Sequence, residues 1–251
     1  MESVLYHGEQ TGTVLENPEP SLKKRYQVPF SFDIISLFIK QGGTMETLDS
    51  NTMALFIFRW IHYVAGITWI GILYFFNFIN VHFAKTLDGD SKKKVVPELM
   101  PRALWWFRWS AMFTWLSGLG YIIWKIFIAT DAGFSGTGGL FNSTWGYWIS
   151  LGGLLGTIMW FNVWFIIWPA QKKIIGWIKA GESPSEMPDL VKRATLASKA
   201  NTFLSIPMLF CMGAASHFPS FSWVTFIVVL IIGFVVAKFL ISSGGKVKTA
   251  V

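Results

Sequence analysis

The chain has 251 residues, of which 53% are hydrophobic, 17% aromatic and only 14% charged. Soluble domains are about 45–50% apolar and about 25% charged, so this composition is typical of a membrane protein. The net charge of +7 comes from basic residues that flank apolar segments. This pattern favours a positive-inside bias and disfavours nucleic-acid binding. The single cysteine, Cys211, excludes an internal disulfide, a cysteine-based zinc site and the covalent attachment of a c-type haem.

The N-terminal part of the chain differs in composition from the rest. Residues 1–29 are polar and contain no apolar core of a signal peptide. Residues 30–41, "FSFDIISLFIKQ", are amphipathic but too short to span a bilayer, which predicts an interfacial helix. We therefore predict an N-terminal tail with this interfacial segment at 1–50, a transmembrane helical domain at 51–245 and a C-terminal tail at 246–251.

Five apolar segments follow the tail, each close to the roughly 20 residues that a helix needs to cross a bilayer. They predict spans at 56–81, 104–128, 146–168, 200–217 and 222–243, with Pro169 ending the third. The predicted fold is an all-α membrane protein, a five-transmembrane-helix bundle preceded by an extramembrane tail and a short interfacial helix.

The loops between the spans predict the orientation. Segments 85–108 and 172–199 each contain six Lys and Arg, whereas the loop at 129–144 and the loop after His217 contain none. The positive-inside rule then places both basic segments and the C-terminus in the cytoplasm. We expect a multi-pass membrane protein.

The first span carries ionisable residues, which are functional candidates by default within a membrane. At 100° per residue, Gly66 and Trp69 share the helix face of His62, and a glycine one turn from a histidine leaves room for a flat macrocycle. His217 closes the fourth span on the same side of the membrane. His62 and His217 are therefore candidate axial ligands of one b-type haem. His82 lies at the opposite end of the first span, where a hydrogen-bonded anchor is the simpler interpretation.

Other polar residues leave alternatives open. Arg59 either extends to the lipid headgroups or neutralises a haem propionate. The asparagines in or beside the spans favour hydrogen bonds between helices. Methionines such as Met208 and Met212 favour core packing over thioether ligation of iron. No Asp or Glu lies deep in a span, which disfavours an ion-coupled transporter.

Four sequence elements resemble a known family. "FRWIHYVAGITWIGILYF" and "WFRWSAMFTWLSG" are similar to the first two spans of the membrane domain at the N-terminus of bacterial membrane-bound urate oxidases. "GTIMWFNVWFIIWPAQKKII" and "NTFLSIPMLFCMGAASHFP" resemble two later elements of that domain, in the same order. The opening R-W-x-H pattern more distantly resembles the small membrane protoporphyrinogen oxidases, which bind b-type haem.

The resemblance implies a redox domain in a bacterial inner membrane that delivers electrons to a cytochrome c. The recurrent polar positions of the family fall on Arg59, His62, Asn162, Asn201 and His217. In the urate oxidases the cytochrome is fused at the C-terminus, and these 251 residues contain no C-x-x-C-H motif. We therefore expect a separate cytochrome c, or other subunits of a membrane complex, as the partner.

The chain also departs from the family pattern. Ser110 stands where the family tends to have an acidic residue, and Lys199 where it tends to have a histidine. The expected function is thus a haem-b redox subunit for a urate-like or other small reductant, whether as an oxidoreductase or as an electron-transfer subunit. The alternative is a haem-free structural subunit that anchors a larger complex to the membrane.

Overall fold

The computed structural model describes residues 49–129 and 139–247, and within these ranges the chain is helical without any strand. The predicted tail and interfacial helix lie outside the described residues. A 3₁₀ turn at Gly139–Phe141 precedes the third of five long helices. These helices are α1 (Ser50–Thr86), α2 (Gly89–Ile128), α3 (Thr144–Ala180), α4 (Met187–His217) and α5 (Trp223–Gly244).

Four of the helices, α1, α2, α3 and α5, are long and apolar enough to cross a membrane. Helix α4 has 31 residues but begins with a polar segment that extends to Lys199, and it is not among the four. The all-helical membrane class is therefore confirmed, whereas the fourth predicted span, at 200–217, stays a prediction.

Short polar side chains begin four of the helices. Asp49, Asp88, Ser143 and Ser222 each accept a hydrogen bond from the backbone N–H three residues further along the chain. Such N-caps satisfy donors that the first helical turn leaves without an intrahelical partner. The bond from the Ser91 backbone to Asp88 also lowers the pKa of that carboxyl group.

Helices α1, α2 and α3 are longer than a hydrocarbon core requires. Helix α1 has 37 residues, which is about 55 Å at 1.5 Å per residue, whereas a hydrocarbon core is about 30 Å thick. The two basic segments between the predicted spans are therefore largely helical. Their lysines and arginines lie on the ends of α1 and α3 and on the starts of α2 and α4.

Helix α3 does not end at Pro169, as predicted, but continues to Ala180. Proline lacks an N–H, and its ring clashes with the carbonyl four residues earlier in a regular α-helix. A π-helical segment, Asn162–Ile167, comes just before this position. Its wider turns change the hydrogen-bond register, so that the helix passes through the proline without breaking.

Side-chain amides connect the helices at the level of the π-helical segments. Asn162 Nδ2 donates to Asn201 Oδ1 at 2.8 Å, and Asn201 Nδ2 donates to the Met159 carbonyl at 3.0 Å. Asn77, in the π-helical segment of α1, donates to Ser198 Oγ of α4 at 2.8 Å. The expectation that these asparagines bond between helices is confirmed.

The core consists of large apolar side chains packed against small residues. Trp69 and Leu73 of α1, Phe107 of α2 and Met159 of α3 are almost fully buried in one cluster. Glycines allow close approach elsewhere. A Cβ on Gly152 would lie 3.0 Å from Cβ of Cys211, so this glycine brings α3 against α4.

Replacing Asn201 by alanine is expected to lower the free energy of unfolding by about 1–3 kcal/mol. The change leaves Asn162 Nδ2 and the Met159 carbonyl without their partner in a fully buried position. Thermal unfolding of the purified protein in detergent measures the effect. Asn142→Ala, at an exposed amide, is the control. Equal stability of the two variants would show that the amide pair does not hold α3 to α4.

Candidate functional site

A cavity of about 430 Å³ lies between α1, α2, α3 and α4, in the half of the bundle away from the basic helix ends. Its size falls within the range of small-molecule sites. Most of its wall is apolar, and it closes against the 3₁₀ turn at Leu140 and Phe141. The polar side chains in its wall include Arg59, His62, Thr114, Tyr121, Ser150 and Thr157.

His62 is held in a defined orientation at the wall of this cavity. Its Nδ1 lies 2.9 Å from the carbonyl oxygen of Thr114 on α2. A carbonyl only accepts hydrogen bonds, so Nδ1 carries the proton, and in the neutral ring Nε2 keeps its lone pair. Histidines that bind metals almost always donate their other N–H in this way. His62 therefore has the tautomer that a metal ligand requires.

Gly118 on α2 leaves room for the His62 ring. A Cβ on Gly118 would lie 3.0 Å from Cε1 and 3.1 Å from Nδ1 of His62. Gly118 comes one turn after Thr114, so the two residues form a small and polar stripe on one face of α2. The ring of His62 fits against this stripe.

Positive charge lies at the exposed rim of the cavity. The Arg59 side chain donates a hydrogen bond to the Tyr121 hydroxyl, and its guanidinium lies 5.1 Å from the centroid of the Tyr121 ring. Nζ of Lys125 lies 4.3 Å from the centroid of the Trp145 ring, another residue of the cavity wall. The rim thus favours an anionic group on a ligand whose body enters the apolar interior.

Two buried polar atoms in the wall have no hydrogen-bond partner, Nε1 of Trp69 and Oγ of Ser150. Trp69 is only 2% exposed. The large majority of buried polar atoms are paired, so these two atoms are exceptions, and protein atoms enclose both of them. Both atoms are on neighbouring walls, on α1 and α3.

The structure brings together only part of the site predicted from the sequence. Arg59, His62 and Trp69 all line the cavity. Gly66 instead lies against α2, where a Cβ would be 3.7 Å from Cγ2 of Thr114, so it serves the packing of α1 on α2. It is Gly118, and not Gly66, that makes room beside the His62 ring.

Three further predicted residues lie outside the cavity wall. Asn162 and Asn201 are bonded to each other across the α3–α4 contact and do not line the cavity. His217 is exposed at the end of α4, and the wall ends one residue earlier, at Ser216. The pairing of His62 with His217 stays a prediction.

Sequence reasoning missed the residues of α2 that complete the site. Thr114, Gly118 and Tyr121 recur at the spacing of one helix face within an otherwise apolar span, and this stripe was the available signal. Met208 and Met212 of α4 also line the cavity. Two thioethers therefore lie in the wall of the same cavity as His62.

The fold and the site define a helical membrane protein with an apolar cavity, a histidine in its wall and a cationic rim. The family described as "Urate oxidase N-terminal" matches residues 50–135 and 137–250, and the chain belongs to this family. The resemblance seen in the sequence motifs is thereby confirmed. Comparisons with curated proteins and with solved structures find no match.

Replacing Gly118 by alanine is expected to displace the His62 ring and to lower the free energy of unfolding by about 1–3 kcal/mol. The added methyl group would overlap the ring, and the bond to the Thr114 carbonyl would lengthen. Thermal unfolding in detergent measures the loss. Gly153→Ala is the matched control, because Gly153 also lines the cavity but has open space where its Cβ would lie. Equal effects of the two variants would contradict the close approach.

Proposed function

We propose that this chain is a membrane-embedded redox subunit that binds b-type haem in this cavity, with His62 as an axial ligand. The observation that carries the proposal is the hydrogen bond from His62 Nδ1 to the Thr114 carbonyl, at 2.9 Å. This bond fixes the tautomer, leaves Nε2 as the donor atom for a metal, and raises the basicity of that atom.

The residues of the cavity fit the chemistry of a haem. An apolar wall suits the macrocycle, and Arg59 at the exposed rim suits its anionic propionates through charge-assisted hydrogen bonds.

A second axial ligand would come from α4, which provides the side chains Met208 and Met212 to the same wall. His217 follows the last wall residue of that helix, and the sequence pairs it with His62. A methionine and a histidine produce different potentials, since axial-ligand identity is one of the main controls on a haem. The choice between them is open to direct test.

When bound, a b-type haem supplies a one-electron carrier. The contribution of the chain is to orient His62, to exclude water with the apolar wall and to place positive charge at the rim. The family name favours a urate-like or other small reductant as the source of electrons. The acceptor proposed here is a separate cytochrome c on the side of the membrane where the cavity lies.

His62→Ala is expected to reduce haem content by about tenfold or more and to abolish the low-spin b-type spectrum, because the ring that ligates the iron is gone. A reduced-minus-oxidised spectrum of the detergent-purified protein measures this. His82→Ala is the control, since His82 is on the same helix but does not line the cavity. A full low-spin spectrum in folded His62→Ala would contradict the proposal.

His217→Ala tests the second ligand. If His217 pairs with His62, the variant is expected to retain haem but to become high-spin, because one axial position loses its protein ligand. An unchanged low-spin spectrum in His217→Ala would contradict the pairing. In that case loss of the low-spin spectrum in Met212→Leu or Met208→Leu would identify the ligand.

A further inference from the structure

A second cationic feature lies at the opposite, basic side of the bundle. The guanidinium carbon of Arg108, on α2, is 4.0 Å from the ring centroid of Trp168 and 5.6 Å from that of Trp164, both on α3. The Trp109 ring lies 5.7 Å away on the same helix. The three tryptophans therefore surround the guanidinium, and we call this arrangement the Arg108 cage.

The charge of Arg108 has no anionic partner among the described residues. No ion pair to Arg108 is present there, and its Nε is buried without a hydrogen-bond partner. Charged side chains within membrane-spanning segments usually pair with another charge or with backbone carbonyls. The aromatic rings provide part of the stabilisation. An anion bound in the cage would provide the opposite charge that Arg108 lacks.

The residues around the Arg108 cage have the composition of a membrane interface. Trp105 and Trp106, on the neighbouring turn of α2, are 47% and 58% exposed, as expected for an interfacial aromatic belt. Arg102 is six residues earlier, about 9 Å along the helix, but its charge is already paired with Glu98. On α3, Lys172 is exposed one turn after Trp168. The surroundings of the cage are therefore cationic on the side that faces water.

An apolar groove leads from the cage toward the membrane centre. It lies between α1 and α2 and has a volume of about 240 Å³. Its wall begins at Trp105 and Trp109 and extends to Trp60 and Phe113. Trp109 belongs to both the groove and the cage. A cation beside exposed tryptophans, joined to an apolar groove, matches a molecule with an anionic head and an acyl chain.

We propose that the Arg108 cage binds the phosphate of an anionic phospholipid, with an acyl chain of that lipid in the groove between α1 and α2. The guanidinium presents N–H donors in a planar fork that suits a phosphate, and stacking on Trp168 holds this fork in place. The basic neighbours favour a lipid with net negative charge over a zwitterionic one.

The test is a thermal-stability titration of the purified protein in detergent with phosphatidylglycerol, phosphatidylcholine and soluble glycerophosphoglycerol. Wild-type protein is expected to be stabilised at a lower concentration of phosphatidylglycerol than of phosphatidylcholine, and to be unaffected by the soluble headgroup. Arg108→Gln is expected to weaken the phosphatidylglycerol response by roughly fivefold to tenfold. Arg102→Gln, which removes an equal charge from an exposed pair with Glu98, is the control.

Arg108→Lys provides a second variant that keeps the charge but loses the planar fork, and it is expected to show a weaker preference than wild type. Equal responses of the wild type to the two phospholipids would overturn the proposal, whatever the variants show. An equal loss in Arg102→Gln and Arg108→Gln would also overturn it, because a general surface charge would then explain the preference. Stabilisation by glycerophosphoglycerol alone would identify a free phosphate site and exclude the lipid.

Discussion

The structure depends on one constraint, that polar groups within a bilayer must find partners inside the protein. The amide of Asn201 meets this constraint by connecting the Asn162 side chain to the Met159 carbonyl across the α3–α4 contact. The amide of Asn77 connects α1 to α4 in the same way, through Ser198. These bonds lie beside π-helical segments, where the regular backbone register changes. They fix how α1, α3 and α4 approach one another.

The cavity follows from this arrangement. With α1 and α3 both held to α4, the halves of the helices away from the basic ends enclose a space that His62 and Trp69 enter from α1. The carbonyl of Thr114 then sets the tautomer of His62, and Gly118 makes room for the ring. The halves that carry the basic ends are built differently, since a guanidinium stacked on a tryptophan occupies the α2–α3 contact there. The two ends of the bundle thus hold cations in different surroundings.

Much of the fold was predictable because apolar length and basic loops are strong signals in a membrane protein. The helix class and the inclusion of Arg59, His62 and Trp69 in one site could be read from helical periodicity. The roles of the glycines could not be predicted in this way, because periodicity does not show which neighbouring helix a given helix face contacts. Gly66 shares the face of His62 yet packs on Thr114. The prediction that the third helix ends at Pro169 was wrong for a similar reason. A π-helical segment adjusts the backbone before the proline, and the sequence around the proline does not show this.

The central claim is that this cavity holds one b-type haem, and a pyridine haemochrome assay on the purified, folded protein tests it most directly. The account predicts a b-type spectrum with about one haem per chain, since a single histidine of the cavity wall carries the required tautomer. Folded protein that contains no haem, and takes none up when haem is added, would contradict the account. The interpretation as a haem-free anchoring subunit would then replace it.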